Sequence, residues 1–319
     1  MELIRRLSAP GSAGPGYVAT IGGYDGLHRG HWELLRRTQE RAVALGARSL
    51  MVTFEPLPRE YFAPQSPPAR LTSFRERWRL LAASPLAALC ALRFSRRLRD
   101  LGAAQFAGLL QHAGVRSVVI GHDFRAGRDG EATTAWLEAH GPRFGFAVEI
   151  VEPVLWDGCR VSSRGVRDAL ARGDFDSAAQ MLGRRYAMRG RVQRGAQLGR
   201  TLGYPTANLR LSRRCSPVDG IFAVRVRGTG AVDAGGRGLP GVASLGTRPT
   251  VNGRVPLLEA HVFDFDGDLY GREIEVEFVQ RLREELNFAS VDAMVAQIHR
   301  DADAARAVLA QDVNGFRCK

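Results

Sequence analysis

Two stretches carry residue types at spacings suited to phosphate chemistry. The first, TIGGYDGLHRGH, runs from Thr20 to His31 and holds Gly22, Gly23, Asp25, Gly26 and Gly30 with histidines at 28 and 31. A spacing of three puts both imidazoles on one side of a first helical turn, where backbone amides already favour an anion. Two histidines there can hydrogen-bond nucleotide phosphates and steady the charge that develops as pyrophosphate leaves. Packing or surface histidines are the plain alternative, and a turn this dense in glycine weighs against it. The second stretch, GRVQRGAQLGRTLGYPTANLRL, places Gly190, Gly195, Gly199 and Gly203 ahead of Pro205-Thr206-Ala207-Asn208. Glycines let a backbone wrap phosphates closely. A hydroxyl and an amide oxygen two residues apart in extended chain face one side, which suits a hard divalent ion such as Mg2+ that keeps phosphate oxygens as its other ligands.

Composition narrows the chemistry further. Among 319 residues with 45 Lys+Arg there is one lysine, Lys319, so the other 44 basic side chains are arginine. A Walker A loop, a protein-kinase strand lysine and a Schiff-base lysine are all excluded. Nucleotides must be held by backbone amides, His, Arg and metal. The formal charge of +12 reads as a bias towards Arg, Ala and Gly, because the arginines are dispersed and no aromatic-interleaved basic stripe marks a specific nucleic-acid site. Cys90, Cys159, Cys215 and Cys318 form no CxxC pair and follow no signal peptide, so a reducing cytoplasm is expected. No apolar run reaches membrane-spanning length, and no membrane partner is expected.

The elements that must position these stretches fall into two patterns. Strand-like runs at Tyr17–Ile21, Ser49–Phe54 and Ser117–Ile120 alternate with helical stretches at 32–45 and 132–140. This βα rhythm predicts a Rossmann-like α/β domain with a parallel sheet and ligands at the carboxyl ends of its strands. Residues 166–182 predict one or two short helices. Beyond them, short strands at 221–227, 241–245, 257–263 and 273–278 predict a small antiparallel β-barrel. A terminal helix follows from 291 to about 309, N-capped by Ser290, with Val291, Met294, Val295, Ile298 and Ala302 as its apolar stripe. The boundary is expected near Arg184, giving domains 1–184 and 185–319.

The first stretch resembles the HxGH signature of the nucleotidyltransferase superfamily, and with Asp25-Gly26 it is similar to the bacterial bifunctional riboflavin kinase/FMN adenylyltransferase family. The resemblance continues in order through VTFEPLPREYF (52–62), PARLTSFRERWRLL (68–81), VVIGHDF (118–124) and VSSRGVRDALARGDFDSAAQMLGRRY (161–186). Past the second stretch it extends through GVASLGTRPTVNG (241–253), LLEAHVFDFDGDLYGREIEVEF (257–278) and RLREELNFASVDAMVAQIHRD (281–301). It implies riboflavin, FMN, FAD and ATP as ligands. At the N-terminal site it implies His28 and His31 on the leaving pyrophosphate, with Gly22, Gly23, Asp25, Gly30, Asp123, Ser162, Ser163 and Arg167 binding nucleotide. At the C-terminal site it implies Thr206 and Asn208 as magnesium and phosphate ligands, the four glycines and Arg248 around ATP, and Glu259 as general base. A strand carboxylate pointing into a barrel mouth is physically fit for that role. His261 reads as an orienting neighbour or a plain barrel residue.

Three departures stand in the N-terminal half. Leu57 replaces a histidine between Pro56 and Pro58, the loop 125–130 is short and lacks an aromatic, and Arg164 replaces a threonine after Ser162-Ser163. A guanidinium can itself bind phosphate bidentately. Two alternatives stay open: a riboflavin kinase carrying a silent nucleotidyltransferase half, and a basic flavin- or RNA-binding regulator. Self-association is not legible.

Overall fold

The computed structural model describes residues 1–8, 14–195, 203–231, 236–250 and 253–312, with backbone only at 248–250 and 253–255. Gly199, Cys318 and Lys319 lie outside the described residues, as does 232–235 of the glycine-rich loop. Two compact units emerge: Met1–Pro68 with Arg77–Ser162, and Ala69–Glu76 with Ser163–Lys319.

In chain order up to Ser162 the elements are β1 (Glu2–Ile4), β2 (Tyr17–Ile21), α1 (Arg29–Ala44), β3 (Arg48–Glu55), α2 (Pro58–Phe62), α3 (Phe74–Ala82), β4 (Ala88–Arg93), α4 (Arg96–Arg99), α5 (Ala103–His112) and β5 (Val115–Gly121). They continue with β6 (Arg125–Ala126), β7 (Ala132–Thr133), α6 (Thr134–His140), β8 (Ala147–Val151), β9 (Leu155–Trp156) and β10 (Cys159–Arg160). Six of the strands form one parallel sheet in the order β1-β4-β3-β2-β5-β8, while β6/β7 and β9/β10 are small hairpins. Strand β3 is buried along nearly its whole length, as a central parallel strand covered on both faces must be. One face packs Leu50, Val52 and Ile120 with Phe106 and Leu110 of α5. The other packs Val18 and Val119 against Ala42 of α1. Strand order reverses between β2 and β5, the position at which open α/β sheets bind ligands. The β-strand rhythm of the sequence finds β2, β3 and β5 but passes over β1, β4 and β8.

The second unit holds α7 (Ser163–Ala171), α8 (Phe175–Leu182), β11 (Ala187–Gln193), β12 (Ala207–Arg210), β13 (Gly220–Arg227), β14 (Leu239–Thr250), β15 (Gly253–Val262), β16 (Glu273–Arg283) and α9 (Val291–Gln311). The strands close into an antiparallel barrel, β11-β12-β15-β14-β13-β16. Leu209, Leu258, Leu245, Phe222 and Phe278 fill it, and Val166, Leu170, Phe175 and Leu182 of α7 and α8 join the same core. Packing therefore divides the chain at Ser162–Ser163, ahead of the sequence-based position near Arg184, because those two helices complete the barrel's apolar interior. Ser290 caps α9, accepting from the Ala293 amide. The buried stripe of α9 keeps Ala302 of the expected one and continues towards the C-terminus: Ala302, Ala305 and Leu309 pack on Ala223, Val242 and Val279, Met294, Val295 and Ile298 are half-buried, and Val291 is 60% exposed. Among the described residues no helix is long and apolar enough to cross a membrane.

Candidate active sites

At the carboxyl end of β2 the chain leaves the sheet gradually. The Gly22 amide still donates to the Val52 carbonyl at 3.0 Å, so it is committed to the sheet. The Gly23 carbonyl accepts from Arg77 Nη1 at 2.8 Å and Thr53 Oγ1 at 3.2 Å. Tyr24, Gly26 and Leu27 then take φ of 50°, 87° and 45°. Only glycine is at ease there, and two non-glycine residues held in that region are backbone strain of the kind that concentrates at functional sites. Asp25 is buried within this turn, and burial pushes the Tyr24 phenol up.

His28 caps α1, its Nδ1 accepting weakly from the His31 amide at 3.4 Å. The two imidazoles stack with centroids 3.6 Å apart and planes 19° from parallel. A Cβ on Gly30 would meet the His28 ring at 3.3 Å and the Val161 carbonyl at 3.8 Å. Gly30 thus admits both the ring and the backbone that ends in Ser162, which brings Ser162 to the first turn of α1.

Asp123 follows β5, and Arg160 of β10 donates to it at 2.7 Å. Partial burial pushes this carboxyl up, but the Arg160 hydrogen bond and charge outweigh it and hold the group below the usual carboxylate range. Ser163 and Arg167 stand on α7 in the second unit, where Arg167 Nε donates to the Ala69 carbonyl. The first unit therefore gathers Gly22, Gly23, Asp25, His28, Gly30, His31 and Ser162, and not Ser163 or Arg167.

In the barrel, β12 places Asn208 directly across from Glu259 of β15, which in turn faces Ser244 of β14. Opposed residues share a sheet face with Cβ atoms about 5 Å apart. That face is the outer one: Leu258 and Ala260 point into the core, so Glu259 points out of the barrel rather than into its mouth as expected. Strand alternation around a filled interior dictates the outcome. A cavity of about 510 Å³ is lined by Gly195, Thr206, Asn208, Asp266, Asp268 and Tyr270, among others, and Glu259 is not in its wall. A Cβ on Gly195 would lie 2.6 Å from the Asn208 side chain, so the glycine cradles that amide. Gly203 has φ +80° in the turn before Tyr204. Gly190 is elsewhere: it lies mid-strand in β11, where a Cβ would come within 2.9 Å of Leu209, and it serves close strand packing. Arg248 belongs to β14, and its side chain is outside the described residues. His261 Nδ1 donates to the Pro205 carbonyl at 2.8 Å, and Tyr204 beside it bonds His299 of α9. The histidine is thus an orienting neighbour of the Thr206 segment.

Comparison with known proteins bears on both regions. The family model for FAD synthetase matches residues 12–165 and that for riboflavin kinase residues 182–309. The chain is 45% identical to the bifunctional riboflavin kinase/FMN adenylyltransferase of Pseudomonas fluorescens over 97% of this chain and 98% of that one. It is 42% identical to the protein of that description from Escherichia coli (strain K12), over 96% and 97%. The chain belongs to the bifunctional riboflavin kinase/FMN adenylyltransferase family. Its fold is also similar to the crystal structure of a macrolide-efflux protein from Streptococcus pneumoniae, with TM-score 0.77, 29% identity and coverage of 96% and 99%.

Within this family frame the departures have definite places. Leu57 is buried, with a methyl 3.8 Å from where a Cβ on Gly23 would sit, so an apolar group fills the space beside the glycine turn. Arg164 is exposed and lies 3.7 Å from Asp168. Sequence reasoning missed several neighbours of the sites. Tyr61, Phe62 and Phe94 meet with centroids 5.2 to 5.8 Å apart, Phe54 adds to Phe94 at 5.6 Å, and Phe62 is 63% exposed. This cluster at the carboxyl ends of β3 and β4, half-buried apart from Phe62 and the buried Phe54, offers a ring edge on which a planar ring can stack. The run YF at 61–62 was the available signal. Arg77 lies in the 68–81 stretch of the resemblance, where nothing set it apart from Arg75 and Arg79.

Proposed function

We propose that the chain phosphorylates riboflavin to FMN with ATP at the barrel, and joins FMN to the adenylyl group of a second ATP at the parallel sheet, giving FAD and pyrophosphate. The observation that supports this reading is the presence of two separate constellations, a stacked histidine pair at a topological switch point and an Asn208–Glu259 pair across barrel strands. Each falls within a different family match. For function we keep the divide near Arg184.

At the barrel, Glu259 takes the proton from the ribityl 5'-hydroxyl as that oxygen attacks the γ-phosphorus. Gly195 and Gly203 let the backbone follow the phosphates, and His261 holds the Pro205 carbonyl so that the Thr206 and Asn208 oxygens stay side by side. Among the described residues no cluster of three or more His, Cys, Asp or Glu is placed to cage a metal. A hydroxyl and an amide oxygen against a glycine cradle nevertheless fit a hard cation that shares its ligation with phosphate. Thr206 and Asn208 would hold Mg2+, which when bound neutralises charge on the transferring phosphoryl group.

At the sheet, the FMN phosphate is already an anion and attacks the α-phosphorus without a general base. His28 and His31 donate to the departing pyrophosphate. Ser162 reaches the triphosphate, Asp123 orients nucleotide, and the Tyr61, Phe62 and Phe94 cluster receives the flavin ring. The cysteine pattern favours the cytoplasm as its compartment, and Cys90, Cys159 and Cys215 are all free thiols. The test is a chromatographic product assay with riboflavin, excess ATP and Mg2+, repeated from FMN. FMN and then FAD are expected; FMN alone, with nothing made from added FMN, would overturn the adenylyl half.

A further inference from the structure

Beneath the glycine turn lies a buried cation that none of the chemistry above uses. Arg77 of α3 is 1% exposed. Its Nη1 donates to the Gly23 carbonyl at 2.8 Å and to Thr53 Oγ1 at 3.2 Å, and its Nη2 donates to Glu55 Oε2 at 2.8 Å. Thr53 Oγ1 reaches the same Gly23 carbonyl at 3.2 Å. The carbonyl is therefore drawn inward by two donors, one of them charged.

A trans peptide group is planar, with its carbonyl and amide pointing in opposite directions. Holding the Gly23 oxygen down on Arg77 consequently turns the Tyr24 amide away from Arg77, in a residue whose ring lies with its centroid 5.0 Å from that of His31. The Gly22 amide cannot share this task, because it is bonded to Val52. The turn itself would otherwise relax, since Tyr24 and Leu27 sit at positive φ. Burying a guanidinium is costly unless its donors are matched, and here one fork serves the sheet residues Thr53 and Glu55 and the turn together.

We propose that Arg77 is a positioning residue for adenylyl transfer: it locks the Gly23–Tyr24 peptide so that an inward-fixed carbonyl presents the next amide to the phosphates held by His28 and His31. This rests on the adenylyl reading of the site. A donor fixed before the reaction stabilises charge that grows in the transition state, so the effect belongs in kcat rather than in KM.

The test compares Arg77→Lys with Glu55→Gln in the full chain. Lysine keeps the charge but is a point donor and cannot span the carbonyl and Glu55 as a planar fork does. Glu55→Gln removes the ion pair and spares both bonds to Gly23. FAD formation from FMN is measured per FMN-binding site, counted by quenching of flavin fluorescence, with riboflavin phosphorylation as the internal control. Arg77→Lys is expected to lower kcat for FAD formation about tenfold or more with KM for ATP within about threefold, while Glu55→Gln stays near wild type. Equal losses in the two variants would mean that the ion pair merely supports the fold and would overturn the proposal. So would an unchanged kcat per site in Arg77→Lys. A wild-type chain that makes no FAD would instead overturn the adenylyl reading on which the proposal stands.

Discussion

The histidine turn of the parallel sheet and the Thr206–Asn208 strand of the barrel are both proposed to meet phosphate, yet they are assembled in opposite ways. The first is one continuous stretch, Gly22 to His31, whose shape is set by a cap, a ring stack and a buried arginine underneath. In the second, Gly195, Asn208 and the 265–270 loop come from separate parts of the chain to line one cavity, and Glu259 meets Asn208 across the β12–β15 pair of the closed barrel. The difference teaches where each site is vulnerable. A local site fails through its own residues and the one clamp below it, whereas a site made by strand pairing fails through register and close backbone approach.

Substitutions can break or sharpen this contrast. The largest effect is expected for Glu259→Gln, which should cut FMN formation by about 10²–10⁴ while FAD formation from added FMN continues. Loss of both activities would undo the separation of the sites. His28→Ala should do the reverse, lowering FAD formation by about 10²–10³ and sparing FMN formation in the chromatographic assay. Undiminished FAD synthesis would show the adenylyl site to be elsewhere.

Gly195→Ala tests the barrel's dependence on close approach. Its Cβ would intrude to 2.6 Å on Asn208, and displacing that amide should reduce FMN formation by roughly tenfold; equal rates would remove Asn208 from the phosphate site. Leu57→His probes the departure beside Gly23. Its effect on FAD formation should stay below about tenfold, less than a single oxyanion donor supplies, and a larger gain would mean that the apolar replacement limits the enzyme.

The smallest effect concerns stability. Asp123 has a depressed carboxyl through Arg160, so its contribution is present above the ordinary carboxylate pKa and fades as pH falls through the lowered folded value. The pair is largely exposed, which limits it to about 0–1 kcal/mol. The melting difference between wild type and Asp123→Asn should shrink on acidification, and a difference that grows would contradict the ion pair.

Much of the N-terminal site was legible because its information is local. Histidines three apart with glycines around them specify a helix N-terminus, a shared face and an anion-facing turn, whatever the rest of the chain does. In the second stretch Thr206 and Asn208 could be named as candidates from residue type, but their geometry could not be read. Gly190 and Gly195 look alike in sequence; one packs between strands and the other cradles an amide, and only strand register tells them apart. Glu259 could be named but not aimed, because inward and outward directions along a strand are fixed by which neighbours the closed barrel buries. The stripe of α9 runs further towards the C-terminus for the same reason, since the strands beneath it choose which turn is covered.

Arg77 marks the far end of this scale. As a residue type it is one of 44, and the 68–81 stretch that holds it does not distinguish it from Arg75 and Arg79. Its partners Gly23, Thr53 and Glu55 are 22 to 54 positions away. Sequence determined what each stretch of this protein can do chemically, because residue type and near-neighbour spacing suffice for that. Tertiary structure alone decided which way the groups point and which buried charge holds them, because both depend on packing between segments remote in the chain.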